Sequence, residues 1–204
     1  MAAARANWRH ETEVFRQGFR AVAGLDEAGC GPLAGPVVAA AVIVQRRRFR
    51  VRIDDSKRLT ALQRERAYAV ICERAHVGVG IASHDVIERV NIFQAARAAM
   101  QDALGALPHA PDFLLVDGRQ PPLSDVPQRS IIHGDRLSIS IACASIVAKV
   151  TRDRLMRFYD RLFPAYRFAQ HKGYGTRTHL QALREHGPSP LHRRTFAPVA
   201  ELLP

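Results

Sequence analysis

The alternation of apolar and polar positions along the chain predicts an α/β fold. Runs rich in β-branched residues predict strands at 21–25, 37–45, 49–53, 77–83 and 113–116, with a further short strand at 131–132. Apolar positions that recur every three or four residues predict helices at 60–75, 85–104, 139–162 and 176–186. The first three strands, with a turn at 46–48, would form an antiparallel meander. Because strands and helices then alternate, we expect a mixed five-stranded sheet flanked by helices.

The sequence predicts three regions, a main domain and one segment on each side of it. Residues 1–20 are polar and rich in arginine, but three aromatic residues are spaced seven and four apart, as on one face of a helix: Trp8, Phe15 and Phe19. We therefore expect an N-terminal arm or helix, then a main domain over 21–162. Residues 163–204 contain several glycines and prolines and predict a C-terminal helical extension.

Three features favour a cytoplasmic protein. The first residues contain no apolar signal core, so we expect no export. The longest stretch without charge, 28–45, is interrupted by glycines and prolines and is not a membrane span. Cys30, Cys72 and Cys143 are odd in number and widely spaced, which favours free thiols over a disulfide framework or a metal knuckle.

The charge balance indicates a polyanionic partner. The 30 Lys and Arg residues exceed the 19 Asp and Glu residues, for a formal net charge of +11. Nucleic acid is the leading candidate, ahead of an anionic membrane surface. The segment 149–194 alone has 11 basic and three acidic residues, an excess of +8 that fits either a surface along a nucleic-acid backbone or a solvated helix face.

Lysine is rare in this chain. Of the 30 basic residues 27 are arginine, and the lysines are Lys57, Lys149 and Lys172. Arginine replaces surface lysine at little cost, so a lysine that remains is a candidate for a role that needs a compact ammonium group.

The densest motif is the glycine-rich segment 24–35, GLDEAGCGPLAG. Its Gly29-x-Gly31-x-x-Ala34 spacing matches a dinucleotide-binding fingerprint, which needs its glycines to open a helix. Here a proline and a β-branched run follow, which predict a strand, and two adjacent carboxylates would repel a pyrophosphate. We therefore reject the dinucleotide interpretation.

Acidic residues lie at predicted strand ends. Asp26 and Glu27 end the first strand, Asp117 ends another before Gly118, and Asp135 precedes the long helix. Taken alone, Asp26 and Glu27 fit a solvated turn as well as a site. Together, four acids at one edge of a basic protein predict binding of Mg²⁺ or Mn²⁺, which prefer oxygen ligands. Two such ions would also relieve the repulsion of a phosphate and would activate water for its hydrolysis.

The chain resembles a known family in many motifs. They are GLDEAGCGPLAGPVVAAAVIV, DDSKRLT, RVNIFQAARAAM, LLVDG, HGD, ISIACASIVAKVTRDRLM, HKGYGT and HRRTF. In this order they resemble bacterial ribonuclease HII, the type 2 ribonuclease H, over about residues 20–200. The resemblance implies an RNase H-like fold and hydrolysis of RNA in RNA/DNA hybrids. It also implies incision 5′ to a ribonucleotide embedded in duplex DNA, which leaves 3′-hydroxyl and 5′-phosphate ends.

The resemblance also implies roles for individual residues. The metal-binding catalytic acids of the family fall on Asp26, Glu27, Asp117 and Asp135, with two Mg²⁺ or Mn²⁺ ions as cofactors. Which metal is preferred stays open.

The substrate-reading residues of the family fall on a loop and a tyrosine. Its Gly-Arg-Gly loop, which reads the 2′-hydroxyl largely through backbone groups, falls on Gly29, Cys30 and Gly31. Its junction-sensing tyrosine falls on Tyr174. Cys30 departs from the family arginine, so a phosphate contact would be absent here.

All three lysines fall inside matched motifs. Lys57 and Lys172 are expected to contact phosphates, while Lys149 fits either a substrate contact or a structural partner of an acid. Asp153 is a fifth acid in a basic helix, where we expect a salt bridge.

Two other function classes remain open at this point. A metal-dependent resolvase or transposase-type nuclease would share the fold and the acids but would ignore ribose. A non-catalytic nucleic-acid binder would share only the charge. For the ribonuclease we expect RNA/DNA hybrid and ribonucleotide-containing duplex DNA as substrates, no membrane partner and a monomer. A replication sliding clamp stays open as a partner.

Overall fold

One mixed sheet forms the centre of the computed structural model, which describes residues 5–45 and 49–203. Its strands are β1 (Val22–Ala28), β2 (Val37–Val44), β3 (Ala75–Ala82), β4 (Phe113–Asp117) and β5 (Gln128–Ile131). Their order across the sheet is β3-β2-β1-β4-β5. β1, β2 and β3 are antiparallel neighbours, while β4 runs parallel to both β1 and β5. The predicted α/β fold with a mixed five-stranded sheet is confirmed.

Helices cover both faces of this sheet. In the described residues they are α1 (Arg9–Arg16), α2 (Ala61–Arg74), α3 (His84–Val90), α4 (Ile92–Gly105), α5 (Ile139–Leu162), α6 (Phe168–His171), α7 (Arg177–His186) and α8 (Ala197–Ala200). Thr60 begins α2 as predicted, since its hydroxyl accepts from the Gln63 N–H and the Gln63 side chain accepts from the Thr60 N–H. Over the described ranges, no helix has the length and apolar character to cross a bilayer.

The two faces of β2 bury alternate residues against different helices. Ala39 and Ala41 lie in a core cluster with α4, while Ala40 and Val42 lie in another with α5. Burial on both faces explains why this strand is a continuous apolar run rather than an alternating one. Its small side chains let the long helix α5 lie close to the sheet.

Gly24 of β1 lies directly against the backbone at the start of α5. A Cβ atom added there would collide with the backbone of Ser140 and Ile141. Glycine is therefore required because the two backbones lie too close together for a side chain. Its backbone conformation is ordinary for a strand and would not by itself require glycine.

Gly24→Ala is expected to lower the free energy of unfolding by about 1–3 kcal/mol, because the added methyl group would push β1 and α5 apart. Gly105→Ala is the matched control, since no atom lies within 4 Å of a Cβ added there. Urea unfolding measures both variants. If Gly24→Ala were as stable as the wild type, the close contact of the two backbones would be wrong.

The strand predicted at 49–53 is wrong. Both edges of β2 are already paired, one with β1 and the other with β3, so the segment finds no place beside it. Its apolar residues instead pack onto the α5 side of the core, with Ile53 buried and Phe49 and Val51 partly buried. The alternating pattern therefore reflects one-sided packing without strand pairing. The turn predicted at 46–48 lies outside the described residues.

The helix predicted over 85–104 is two helices. Asn91 separates α3 from α4 with a φ of +69°, and its side chain accepts from the Phe93 and Gln94 N–H groups at the start of α4. The apolar spacing continues across this break, so periodicity alone did not reveal it. The short strand expected at 131–132 lies slightly earlier, as β5.

The helix α1 lies in the N-terminal region, but the three aromatic residues predicted to share one helix face do not do so. Phe15 and Phe19 pack against a cluster beside β1 and β4, whereas Trp8 precedes the helix and packs on the α5 side of the sheet. Glu11 fixes α1 to the start of α5: its Oε1 accepts from the Ser138 hydroxyl at 2.6 Å and from the Ser140 N–H at 2.8 Å.

Candidate active site

Two carboxylates, those of Asp26 and Glu27, lie near the end of β1, beside a cleft. Both acids lie shortly before Gly29. This glycine directly follows Ala28, the last residue of the strand, and has a φ of +106°. Neighbouring strand residues point to opposite faces, yet both side chains line one cleft of about 410 Å³. The strand predicted at 21–25 continues to Ala28 and pairs with β2 over this length, but its pairing with β4 ends at Leu25, just before the two acids. Asp26 is buried, and its Oδ1 accepts from the Glu27 N–H at 2.7 Å. Ser145 of α5 also lines this cleft.

The other two predicted acids lie beside these. β4 runs parallel to β1 and ends at Asp117, which is therefore the neighbour of Asp26 in the adjacent strand. The Oδ1 of Asp117 accepts from the Gly134 N–H at 2.6 Å, and this bond holds the turn that carries Asp135. Asp26, Glu27 and Asp117 line the cleft. Asp135 is not among the lining residues, but it is close enough for the Asp117 charge to raise its pKa.

The carboxylates raise one another's pKa. Burial raises the pKa of Asp26 well above its ordinary value, and the charges of Glu27 and Asp117 add to this effect. Burial and then Asp117 raise the pKa of Glu27 in the same direction. For Asp135, burial, Asp117 and Asp55 together raise the pKa to about 6. The cleft therefore concentrates negative charge that a cation would stabilise.

This donor set suits a hard divalent cation in its chemistry. Carboxylate oxygens are the ligands that Mg²⁺ and Mn²⁺ prefer, and an ion would remove the repulsion among them. Within the described ranges, no three acidic, histidine or cysteine side chains converge closely enough to hold a metal ion as they stand. Ligation therefore requires carboxylates to turn towards the ion.

Lys57 lies in the same cleft on a fixed turn. It belongs to the 3₁₀ turn Ser56–Arg58, where the Asp55 carboxylate accepts from the Lys57 N–H at 2.9 Å. The other Asp55 oxygen accepts from the Arg136 Nε at 3.0 Å. Asp55 thus fixes the backbone at Lys57, whose exposed side chain lines the cleft together with Glu27. The Lys57 charge offsets part of the rise in the pKa of Glu27.

Lys149 pairs with an acid. Its Nζ donates to Asp153 Oδ1 at 2.6 Å, one helical turn further along α5. The salt bridge expected for Asp153 is therefore confirmed. Of the two roles considered for Lys149, a substrate contact or a structural partner of an acid, this pair fits the second. Lys149 nevertheless lines the cleft.

Lys172 lies away from the four acids. It lines a neighbouring pocket with Glu65, Asp153 and Arg157, and its ammonium group donates to the Ala169 carbonyl. Burial lowers the pKa of Lys172. Of the three lysines, Lys57 and Lys149 thus lie at the cleft and Lys172 beside it.

The glycine loop, residues 29–36, contributes Gly29, Cys30 and Gly31 to the cleft that Tyr174 also lines. A Cβ added at Gly29 would collide with the Arg152 side chain and lie 2.8 Å from the Pro36 carbonyl oxygen. At Gly31 an added Cβ would instead lie 3.8 Å from Tyr174 Cε1, an ordinary contact. The loop backbone, the Tyr174 ring and the carboxylates therefore share one cleft.

Comparison with known proteins identifies the family. The sequence model of the family described as Ribonuclease HII matches residues 23–199. The chain belongs to the ribonuclease HII family. It is 55% identical to a Ribonuclease HII of Geobacter metallireducens, over 97% of this chain and 93% of that protein. It is 51% identical to one of Acholeplasma laidlawii, over 97% of each.

Solved structures show the same fold. A ribonuclease H2 of Pyrococcus horikoshii aligns with a TM-score of 0.73 at 21% identity, over 90% of this chain and 97% of that one. A Bst-RNase HIII solved with Mn²⁺ aligns with a TM-score of 0.65 at 17% identity, over 89% and 68%. As a ribonuclease HII, the chain is an endoribonuclease that hydrolyses RNA in RNA/DNA hybrids. The resolvase and non-catalytic interpretations are thereby excluded.

Arg193 is a residue of this ribonuclease HII site that the sequence did not reveal. Its guanidinium group is fully buried and donates to three backbone carbonyls of the glycine loop. The distances are 2.6 Å to Gly29, 3.0 Å to Cys30, and 2.9 and 3.0 Å to Gly35. Burial, and then the charge of Arg152, lower its pKa to about 9. Arg193 therefore holds the backbone of the loop from its buried side.

Arg152 of α5 secures the same loop further along. Its guanidinium group donates to the carbonyls of Pro36 at 2.9 Å, Ala34 at 3.2 Å and Lys172 at 3.0 Å. These bonds link the glycine loop to the segment that carries Tyr174. Because arginine provides several donors in a fixed plane, one side chain can hold carbonyls from two chain segments.

Proposed function

We propose that this ribonuclease HII incises duplex DNA 5′ to an embedded ribonucleotide, as well as cutting continuous RNA/DNA hybrids. The observation that carries the proposal is that Gly29, Cys30, Gly31 and Tyr174 line the same cleft as the carboxylates. A ribose bound there would meet the loop backbone, and the sugar of the following nucleotide would meet the Tyr174 ring. The phosphate on its 5′ side would then lie towards Asp26 and Asp117.

The carboxylates would hold two divalent ions, Mg²⁺ or Mn²⁺, through Asp26, Glu27, Asp117 and Asp135. When bound, such ions lower the pKa of water and stabilise the leaving oxygen of an in-line displacement, giving 3′-hydroxyl and 5′-phosphate ends. The Mn²⁺ complex of the structurally similar Bst-RNase HIII supports a divalent metal. Because burial and neighbouring charges raise the pKa values of Asp26 and Glu27, their ionised forms are disfavoured in the cleft, and a bound cation would stabilise them.

The remaining predicted residues would position the substrate. Gly29, Cys30 and Gly31 would read the 2′-hydroxyl through backbone groups, and Tyr174 would stack on the sugar of the following nucleotide. Lys57 lies at the cleft and would contact a phosphate there, while Lys172 would contact the backbone beside it. We also propose that residues 163–204 act as a substrate-binding extension of the main domain.

A replication sliding clamp is a further proposed partner. An RNase HII of Archaeoglobus fulgidus has been solved in complex with PCNA, and it aligns with this chain at a TM-score of 0.71 and 22% identity. Size-exclusion chromatography of the chain with a bacterial clamp tests this proposal, since co-elution supports it and separate elution contradicts it.

The catalytic proposal is tested on three duplexes of one sequence: all DNA, DNA with one ribonucleotide, and a continuous hybrid. With Mg²⁺ or Mn²⁺, we expect cleavage of the second and third duplexes and none of the first. Cleavage should cease on addition of EDTA. Equal cleavage of the all-DNA duplex would contradict recognition of ribose, and full activity in EDTA would contradict the metal mechanism.

Cys30 provides a prediction about substrate affinity. All three cysteines are free thiols, as predicted, and Cys30 Sγ donates to Glu27 Oε1 at 3.6 Å. Burial and then the Glu27 charge raise the pKa of this thiol to about 12, so it carries no charge at neutral pH. Cys30→Arg is expected to lower KM by about fivefold, since one exposed ion pair contributes about 1 kcal/mol.

Steady-state cleavage over a range of substrate concentrations measures this effect. Cys30→Ala is the matched control, because it removes the thiol without adding charge and should bring no gain in affinity. If Cys30→Arg cleaves no better than the wild type at any concentration, a missing phosphate contact at this position is wrong.

A further inference from the structure

A buried chain of hydrogen bonds connects Ser189 to the backbone of Tyr174. The Ser189 N–H donates to His192 Nδ1 at 2.9 Å, and the Ser189 hydroxyl lies 2.8 Å from the same nitrogen. The Nε2 atoms of His192 and His179 are 3.0 Å apart, and His179 Nδ1 lies 2.9 Å from the Tyr174 carbonyl oxygen. No part of the proposed catalytic mechanism uses these two histidines.

The partners of each ring fix where its proton lies. His192 Nδ1 accepts from a backbone N–H, so a neutral His192 carries its proton on Nε2. That proton can only be donated to His179 Nε2, which leaves the His179 proton on Nδ1. His179 Nδ1 then donates to the Tyr174 carbonyl oxygen, which can only accept. The whole chain therefore has one consistent direction, from His192 to Tyr174.

The surroundings keep both rings neutral and in place. His179 and His192 are buried in the aromatic cluster of the C-terminal segment, where His171 stacks on His179 with ring centroids 4.4 Å apart. Phe168 packs against both rings, at 5.6 Å and 5.7 Å. Burial lowers the pKa of each of the two histidines to about 4, which agrees with neutral rings.

His179 also belongs to the structure that follows Tyr174. It lies in the first turn of α7, where its N–H donates to the hydroxyl of Thr176 at 3.3 Å. The Tyr174 carbonyl accepts a second bond from the Thr176 N–H at 2.8 Å, and the Tyr174 N–H donates to the His171 carbonyl at 3.0 Å. The exposed Tyr174 ring is thus carried by a backbone that His179 fixes from the buried side.

We propose that His179, oriented by His192, is a positioning residue that holds Tyr174 against the glycine loop and so sets the preference for a ribonucleotide-to-DNA junction. The inference rests on the proposed role of Tyr174 in reading that junction. A role in packing alone would alter stability and would affect all substrates equally. A positioning role should change the ratio of activities on two substrates.

The test compares kcat/KM on a DNA duplex with one ribonucleotide and on a continuous hybrid of the same sequence. His179→Gln places an amide near the position of Nε2 but removes the donor to the Tyr174 carbonyl. We expect the ratio of the two activities to fall about tenfold, because small displacements at a reacting site have large effects on rate. His179→Asn keeps an N–H near the position of Nδ1 and should restore most of the ratio.

A double variant separates positioning from packing. If His179 acts through Tyr174, then His179→Gln should lower the ratio no further in a Tyr174→Ala background. An unchanged ratio in folded His179→Gln, or a full additional loss in the double variant, would overturn the inference.

Two further measurements keep the test decisive. If His179→Gln shows no cooperative thermal unfolding, His192→Asn replaces it. That variant keeps an acceptor for the Ser189 N–H but removes the donor to His179, and its ratio should fall by at least about threefold. An unchanged ratio in His192→Asn would then overturn the inference. If the wild type itself does not cleave the duplex with one ribonucleotide, the proposed function fails instead.

Discussion

Asp26→Asn is expected to lower cleavage of an RNA/DNA hybrid by more than about a thousandfold, or about 4 kcal/mol of transition-state stabilisation. Asp26 lies between Glu27 and Asp117 in the cleft, and an amide cannot replace an anionic oxygen as a metal ligand. Binding should stay within about threefold of the wild type, because phosphate contacts from the basic surface position the duplex. Single-turnover cleavage and fluorescence anisotropy measure the two effects separately.

The same variant should not lose stability. At neutral pH the buried Asp26 carboxylate is disfavoured by burial and by its neighbours, so a neutral amide relieves a cost of folding. Without metal, we expect the unfolding temperature of Asp26→Asn to equal or exceed that of the wild type. Asp125→Asn, at an exposed acid, is the matched control and should cleave normally. Full activity in Asp26→Asn would contradict the assigned site.

Arg193→Ala is expected to lower the free energy of unfolding by about 3 kcal/mol or more. The variant leaves the buried carbonyls of Gly29, Cys30 and Gly35 without their donors, and each unsatisfied group costs about 1–3 kcal/mol. Arg193→Lys should recover only part of the loss, because one ammonium group cannot reproduce the planar set of donors. Because the glycine loop would lose its support, kcat/KM should fall on hybrid and junction substrates alike.

Arg194→Ala is the matched control for Arg193→Ala, since the two arginines are neighbours and Arg194 is exposed. Its effect on stability should stay within about 0.5 kcal/mol. Urea unfolding of the three variants tests the account. If Arg193→Ala and Arg194→Ala were equally stable, the buried arginine would not support the loop.

The positions of the acids could be predicted because each follows a local signal. An apolar run that leads into acids and a glycine marks the end of a buried strand. Asp117 is the last residue of β4 as predicted, while Asp26 and Glu27 lie in β1 just before its last residue, Ala28. That these strands are neighbours followed from the general behaviour of α/β sheets. The Tyr174 position came from the family resemblance alone, since a tyrosine between two glycines has no local signature of a site.

The buried arginines could not be predicted for a physical reason. Arg152 and Arg193 are two of 27 arginines, and their burial depends on carbonyls that the folded glycine loop brings together. The histidine chain was missed for the same reason, because His179 and His192 become partners only when α7 packs against the following turn. The wrong strand at 49–53 shows the same limit: alternation indicates a buried face but cannot show whether a pairing edge is available.

Site-specific incision is tested most directly on duplex DNA with a single ribonucleotide, labelled on the strand that carries it, with Mg²⁺ or Mn²⁺ present. We expect one cut, at the phosphodiester bond 5′ to the ribonucleotide, with a 3′-hydroxyl on the upstream fragment and a 5′-phosphate on the ribonucleotide. A cut on the 3′ side, or equal cutting of the all-DNA duplex, would contradict this specificity.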